Sequence, residues 1–302
     1  MFSIGIDIGG TKIAVGVLNG FEILKSRRFD YIYSENIPGL VEFLARLINT
    51  LSDDYQVESV GIGSPGWVVD GVVREAVNLG ITELNMRAEL QALVRVPVQV
   101  ENDARTALLG EFAKGSLKGC RNALMVTLGT GIGGAFLLDG RLYRGSFGCA
   151  GELGHVSVDV GGPRCSCGKR GCLELYASGI TLASEARRIA REKDGALRRL
   201  CGGDVNALDG EAVFRASDAG DPDALKLLER YVDRLAHALL ETAYLLDLDA
   251  IALGGGISAQ EHYVIEPVRQ RFDEAGSRCA VRRAALGNNA GIVGAAMLGK
   301  LG

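Results

Sequence analysis

Apolar residues come in short runs separated by glycine-rich breaks along most of the chain. Between Phe2 and Val17 two such runs flank Asp7-Ile8-Gly9-Gly10-Thr11-Lys12, which predicts two strands joined by a tight turn. Leu40, Leu44, Leu47 and Leu51 then recur at helical spacing, and Val41 and Ile48 widen the stripe. Val60-Gly61-Ile62-Gly63 predicts a short strand closed by the turn Ser64-Pro65-Gly66. Val96, Val98 and Val100 alternate as in a strand and lead through Glu101-Asn102-Asp103 into a helical stretch from Ala104 to Phe112. A second unit opens near Asn122. Its strand-like Ala123–Leu128 runs into Gly129-Thr130-Gly131-Ile132-Gly133-Gly134, then apolar Ala135–Leu138 and the hairpin signal Asp139-Gly140. A strand, a Gly/Thr turn and a strand therefore occur twice. Asp221 is a good cap and Pro222 a good first residue for a long helix to about Leu246, with Leu225, Leu228, Val232, Leu235, Leu239 and Leu246 on its apolar face. Ala250–Leu253 reads as a strand before Gly254-Gly255-Gly256, and Gly291 to Leu298 as a small-residue helix that packs closely. Strands alternating with helices make this an α/β protein.

Composition narrows the function classes. The 302 residues suit two domains of roughly 100–200 residues each. A net charge of −4 argues against a binder of nucleic acid, which needs a positive surplus. With 47% hydrophobic and 23% charged residues, intrinsic disorder is excluded. No apolar run reaches the roughly 18–20 residues of a membrane span, and the N-terminus lacks the features of a signal peptide, so a cytoplasmic location without membrane contact is expected. Glycine, at 42 residues, is about twice as frequent as usual while proline is only 6, which points to places where backbone must approach something closely.

Three kinds of candidate chemistry stand out. A strand followed by a Gly-rich turn is a phosphate site when its N–H groups converge on oxygens, but one such turn alone is explained equally well by hairpin chemistry. Neither a Walker A pattern nor a dinucleotide fingerprint occurs in the required context. Cys165, Cys167 and Cys172 sit within eight residues, and His155 lies ten residues before Cys165. Three thiols and an imidazole supply a closed tetrahedral set for structural Zn²⁺; Cys120, Cys149, Cys201 and Cys279 are isolated and read as ordinary buried thiols. Glu101-Asn102-Asp103 has two readings, a helix cap or an acid–base group at a strand end.

Asp7–Lys12, Leu128–Gly134 and Leu253–Gly256, in this order and over nearly the whole chain, resemble the nucleotide-binding segments of the ROK family of sugar kinases and repressors. Gly151-Glu152-Leu153-Gly154-His155 and the run Cys165 to Glu174 are similar to that family's sugar and zinc motifs, and Asn102-Asp103-Ala104 to the segment carrying its catalytic aspartate. The resemblance implies a two-domain actin-like ATPase fold, ribonuclease H-like, with an interdomain cleft. It implies domains at 1–116 plus 286–302 and at 117–285. ATP would be held by Asp7, Gly9, Gly10, Thr11 and Lys12 and by Thr130, Gly131, Gly133 and Gly134, with Gly254, Gly255 and Gly256 bordering the adenosine and Asp7 helping to hold Mg²⁺. His155, Cys165, Cys167 and Cys172 would bind Zn²⁺. Gly66, Asn78, Asn102, Asp103, Glu152, His155 and Glu174 would bind the sugar, with Asp103 as general base.

The expected activity is ATP-dependent phosphorylation of a free hexose, glucose to glucose 6-phosphate first; kinases for N-acetylmannosamine, N-acetylglucosamine, fructose or allose share every motif quoted. A sugar-responsive repressor is disfavoured, because the first nucleotide segment starts at Ser3 and leaves no room before it for a winged helix-turn-helix. A homodimer is implied by the same likeness. The chain departs from the family pattern at Arg105-Thr106, where small or amide residues are usual, at Ala76-Val77 before Asn78 and at Asp247-Leu248-Asp249, where prolines are common.

Overall fold

The computed structural model describes residues 2–30 and 37–300, without the side chains of Asn78 and Lys300. In chain order the elements are β1 (Phe2–Ile8), β2 (Lys12–Asn19), β3 (Glu22–Asp30), α1 (Ile37–Asp54), β4 (Val57–Ser64), β5 (Trp67–Val69), β6 (Val72–Ala76), β7 (Ile81–Leu84), α2 (Met86–Leu93), β8 (Val98–Asn102) and α3 (Asp103–Lys114). They continue with β9 (Ala123–Leu128), β10 (Ile132–Leu138), β11 (Arg141–Tyr143), α4 (Glu174–Ala177), α5 (Gly179–Glu192), α6 (Ala196–Leu200), α7 (Glu211–Asp218), α8 (Pro222–Leu246), β12 (Ala250–Gly254), α9 (Glu266–Glu274), β13 (Ala280–Arg283) and α10 (Ala290–Met297). No described helix is long and apolar enough to cross a membrane.

The chain divides into two units: Met1–Arg121, Ala135–Gly151 and Ala284–Gly302 form the first, Asn122–Gly134 and Glu152–Arg283 the second. Residues 135–151, expected in the second domain, group with the first, and the chain passes from one unit to the other within β10. Side-chain hydrogen bonds from Trp67 and Arg105 to carbonyls in this stretch explain the grouping.

In the first unit the sheet has the order β3-β2-β1-β4-β8, with β1, β4 and β8 parallel and β2 and β3 antiparallel. Alternation sends Ile4, Ile6 and Ile8 into one core, together with Leu40, Leu44 and Ile48 of α1. The other face carries the glycines. A Cβ on Gly61 would lie 1.7 Å from the Ala295 carbonyl oxygen, and one on Gly5 2.0 Å from that of Ile292. The glycine-rich face thus lets α10 lie directly on the strands, and Asp7, which alternates onto this face, meets the start of that helix. A small antiparallel sheet, β5-β6-β7, adds the Gly66–Ala76 turn region.

In the second unit β12 pairs in parallel with β9 and β13. Asp221 caps α8, accepting from the N–H groups of Asp223 and Ala224, and also accepts that of Ala196. The buried face of α8 runs through Ala224, Leu227, Leu228, Tyr231, Leu235 and Leu239. Leu225, expected on that face, is 42% exposed, because it stands in the first turn at the margin of the buried stripe centred on Leu228, Tyr231 and Leu235.

Candidate active site

Asp7 ends β1, and the Gly9–Lys12 turn that follows closes on a Gly9 N–H donated to the Lys12 carbonyl at 2.8 Å. Gly10, Thr11 and Lys12 are exposed. Asp7 is half-buried; burial, and then the nearby Asp103, push its carboxyl up to about 7, while Arg28 pulls it down. Two carboxylates sharing one corner repel each other. That donor chemistry fits Mg²⁺, a hard cation that takes oxygen ligands and keeps several waters.

The helix cap falls to Asn102. Its Oδ1 accepts the Arg105 N–H at 3.2 Å, while its Nδ2 donates to Gly66 O at 2.9 Å and to Asp103 Oδ1 at 3.0 Å. Asp103 Oδ1 accepts from the Ala104 N–H at 2.8 Å. Asp103, at the first turn of α3, is half-buried. The structure therefore brings Gly66, Asn102, Asp103 and Asp7 together. Asn78 lies in a single 3₁₀ turn, Val77–Leu79, and its side chain is outside the described residues.

Beneath this corner lies an ionic cluster that sequence reasoning missed. Glu101 is 4% exposed and Arg105 3%. Glu101 accepts from Arg105 Nη1 at 3.0 Å, from Arg144 Nε at 2.6 Å and from the Asn102 N–H at 2.9 Å. Arg105 Nη2 donates to Gly148 O at 2.6 Å and to Ala150 O at 3.3 Å. Trp67 Nε1 adds a bond to Phe147 O at 3.1 Å. Residues 144–150 are thus strapped to β5 and to the start of α3, immediately before Gly151. The i,i+4 spacing of Glu101 and Arg105 was a readable signal; the partnership with Arg144 had none. Cys149, expected to be buried, is exposed in this strap.

In the second unit the β9–β10 turn is Gly129-Thr130-Gly131, and Gly133 and Gly134 lie in β10 beyond it. Gly179 N–H donates to Gly129 O at 2.8 Å and Ile180 N–H to Thr130 O at 3.2 Å. Glu174 Oε2 accepts the Ile132 N–H at 3.0 Å, a contact absent from the expected sugar-binding role. Gly254 ends β12; Gly255 has φ +83° and a Cβ there would sit 2.3 Å from Leu128 O, so only glycine fits. Gly129, Thr130, Ile180, Phe214, Gly256 and Ile257 line a cavity of about 410 Å³, apolar at Ile180, Phe214 and Ile257 and glycine-walled at the turn. A nucleoside fits such a wall.

The ligand atoms of His155, Cys165, Cys167 and Cys172 lie within 4.8 Å of one another. Cys167 Sγ and Cys172 Sγ are 3.5 Å apart, and Cys165 Sγ is 3.7 Å from His155 Nδ1. Tetrahedral Zn–S bonds of about 2.3 Å require S···S edges of about 3.8 Å, so the set fits zinc with Nδ1 as the imidazole ligand. Burial, and then Cys167 and Cys165, push the Cys172 thiol up. Burial opposes ionisation of Cys165 as well, but hydrogen bonds from Cys167, Cys172 and His155 outweigh it and pull that thiol down. A closed set of four leaves no position for substrate on the metal. Tyr176 of α4 donates to Asp159 Oδ2 at 3.0 Å and Arg234 of α8 to Val158 O at 3.0 Å, fastening the loop to both helices. Glu152, just before the 3₁₀ turn Leu153–His155, is exposed.

The family model described as "ROK family" matches residues 3–301. A glucokinase from Streptomyces coelicolor is 34% identical over 311 aligned residues, covering 99% of this chain and 97% of that protein. An N-acetylmannosamine kinase from Haemophilus influenzae is 30% identical, covering 98% and 94%. The crystal structure of a ROK family glucokinase from Streptomyces griseus, in complex with glucose and AMPPNP, superposes with a TM-score of 0.86 at 35% identity over 100% of both chains.

Proposed function

The chain belongs to the ROK family, and from that premise we propose that it transfers the terminal phosphoryl group of ATP to a free hexose, glucose being the acceptor and O6 its reacting hydroxyl. The observation that carries this reading is the division of labour at the start of α3: Asn102 caps the helix, and Asp103 stands beside Asp7 at the first phosphate turn.

Asp103 accepts the proton of the sugar hydroxyl as that oxygen attacks the γ-phosphorus; the bond to the β,γ-bridging oxygen breaks and ADP leaves. The proton then passes from Asp103 to solvent. Gly66, Asn78, Asn102, Glu152, His155 and Glu174 are the sugar's partners. The amides of the two Gly/Thr turns receive phosphate oxygens. Mg²⁺, held by Asp7 directly or through water, supplies charge neutralisation for the transferring phosphoryl group. The thiol cluster holds structural Zn²⁺ and fixes the loop bearing His155. Placement, more than the strength of the base, provides most of the rate. ATP supply puts the reaction in the cytoplasm, and a homodimer is part of the same reading.

A coupled ADP-release assay over hexoses and N-acetylhexosamines tests this. Glucose is expected to give the highest kcat/KM. Activity confined to N-acetylmannosamine would move the assignment to the other kind of relative, and no nucleotide consumption with any monosaccharide by folded, zinc-loaded protein would end it.

A further inference from the structure

The second phosphate turn is held by one short stretch of chain. Gly179 and Ile180 donate their N–H groups to the Gly129 and Thr130 carbonyls, and Glu174 Oε2 accepts from Ile132. This stretch starts two residues after Cys172. The intervening Leu173 is fully buried and donates its N–H to Val156 O at 2.8 Å, while the Thr181 hydroxyl donates to the Glu174 carbonyl at 3.0 Å. The path from the thiol cluster to the turn is therefore short and pinned along its length. The Glu174 carboxylate also fills the space beside Gly131: a Cβ there would lie 2.4 Å from Oε2. Gly131 is not in a left-handed conformation, so its missing side chain answers to the carboxylate and not to backbone strain.

We infer that Glu174 is a positioning residue for the nucleotide, fastening the second phosphate turn to the segment that leaves the thiol cluster, alongside its proposed part in binding sugar. The inference rests on the reading of this turn as a phosphate site. Ile132 is 5% exposed, so removing its acceptor leaves a buried donor without a partner and the turn free to shift. The charge acts in the opposite sense, because a carboxylate near phosphates repels them. Glutamine separates the two effects: its amide oxygen accepts the same N–H without the charge.

The test is calorimetric binding of a non-hydrolysable ATP analogue with Mg²⁺ to the full chain, without sugar, with zinc content measured for each variant. Glu174→Gln is expected to bind at least as tightly as the parent, and Glu174→Ala about five- to tenfold more weakly than Glu174→Gln. Gly131→Ala is expected to weaken binding in the parent, and its penalty to shrink several-fold in the Glu174→Ala background, where the clash is gone. Equal affinities for the Gln and Ala variants, or an undiminished Gly131→Ala penalty, would overturn the inference. With no sugar present the result is independent of the acceptor. A chain that phosphorylates no hexose yet shows this pattern keeps the inference and loses the proposed activity; an active glucose kinase without it does the reverse.

Discussion

The two Gly/Thr turns look alike in sequence and are supported differently. The first closes on its own hairpin bond and stands exposed at Gly10, Thr11 and Lys12, with the carboxylates of Asp7 and Asp103 behind it. The second is clamped through Gly129, Thr130 and Ile132 by the segment that follows the thiol cluster. One turn is backed by two neighbouring carboxylates, the other by hydrogen bonds. Two copies of one motif thus differ through residues far from them in the chain, Asp103 behind the first and Glu174 beside the second.

The largest expected effect lies behind the first turn. Asp103→Asn should lower kcat by about 10²–10⁴-fold with sugar KM changed only a few-fold, since the amide retains the shape and loses the base. Steady-state kinetics decide; near-parental turnover would remove Asp103 from the chemistry. Next comes the ionic cluster beneath it. Arg105→Ala leaves Glu101 buried with one partner fewer and frees the Gly148 and Ala150 carbonyls, so the first unit should lose about 3–5 kcal/mol. Denaturant unfolding followed by the fluorescence of Trp67, the single tryptophan, which is bonded to the same strap, reads this directly.

Asp7 gives a smaller, pH-dependent effect. Its carboxyl ionises near 7 in the fold against an ordinary 3.8, so the folded state holds the proton more tightly and ionisation penalises it. Asp7→Asn should therefore raise the melting temperature of metal- and nucleotide-free protein by several degrees above pH 7, the gain fading as pH falls and vanishing below about 4. Melting curves at pH 5 and pH 8 suffice; an equal shift at both would contradict the assignment. The smallest effect sharpens the contrast between the turns. A Cβ on Gly10 meets nothing within 4 Å, so Gly10→Ala should leave melting temperature unchanged within about 1 °C. The same substitution at Gly131 meets a carboxylate.

Much of this architecture was readable from pattern. The hairpin of β1 and β2, the long helix from Pro222 to Leu246 and the clustering of His155, Cys165, Cys167 and Cys172 follow from alternation, capping and spacing, all of them local properties. The identity of the helix cap was not legible, because Asn102 and Asp103 are both good caps and only the coordinates show which N–H each receives. Arg105 read as a departure from the family pattern; its carbonyl partners, Val68, Gly148 and Ala150, lie 37 to 45 residues away, where no sequence period reaches. Glu174 was placed through its motif near the sugar, and its bond to Ile132 became visible only once the chain had folded back on itself.

The glycine-lined face of the first sheet has a consequence for synthesis. The helix that covers Gly5 and Gly61 is made nearly three hundred residues after the strand it lies on. On the ribosome the opening strands must wait, one side bare, while the intervening unit emerges and folds. The first unit is therefore begun before the second and completed after it.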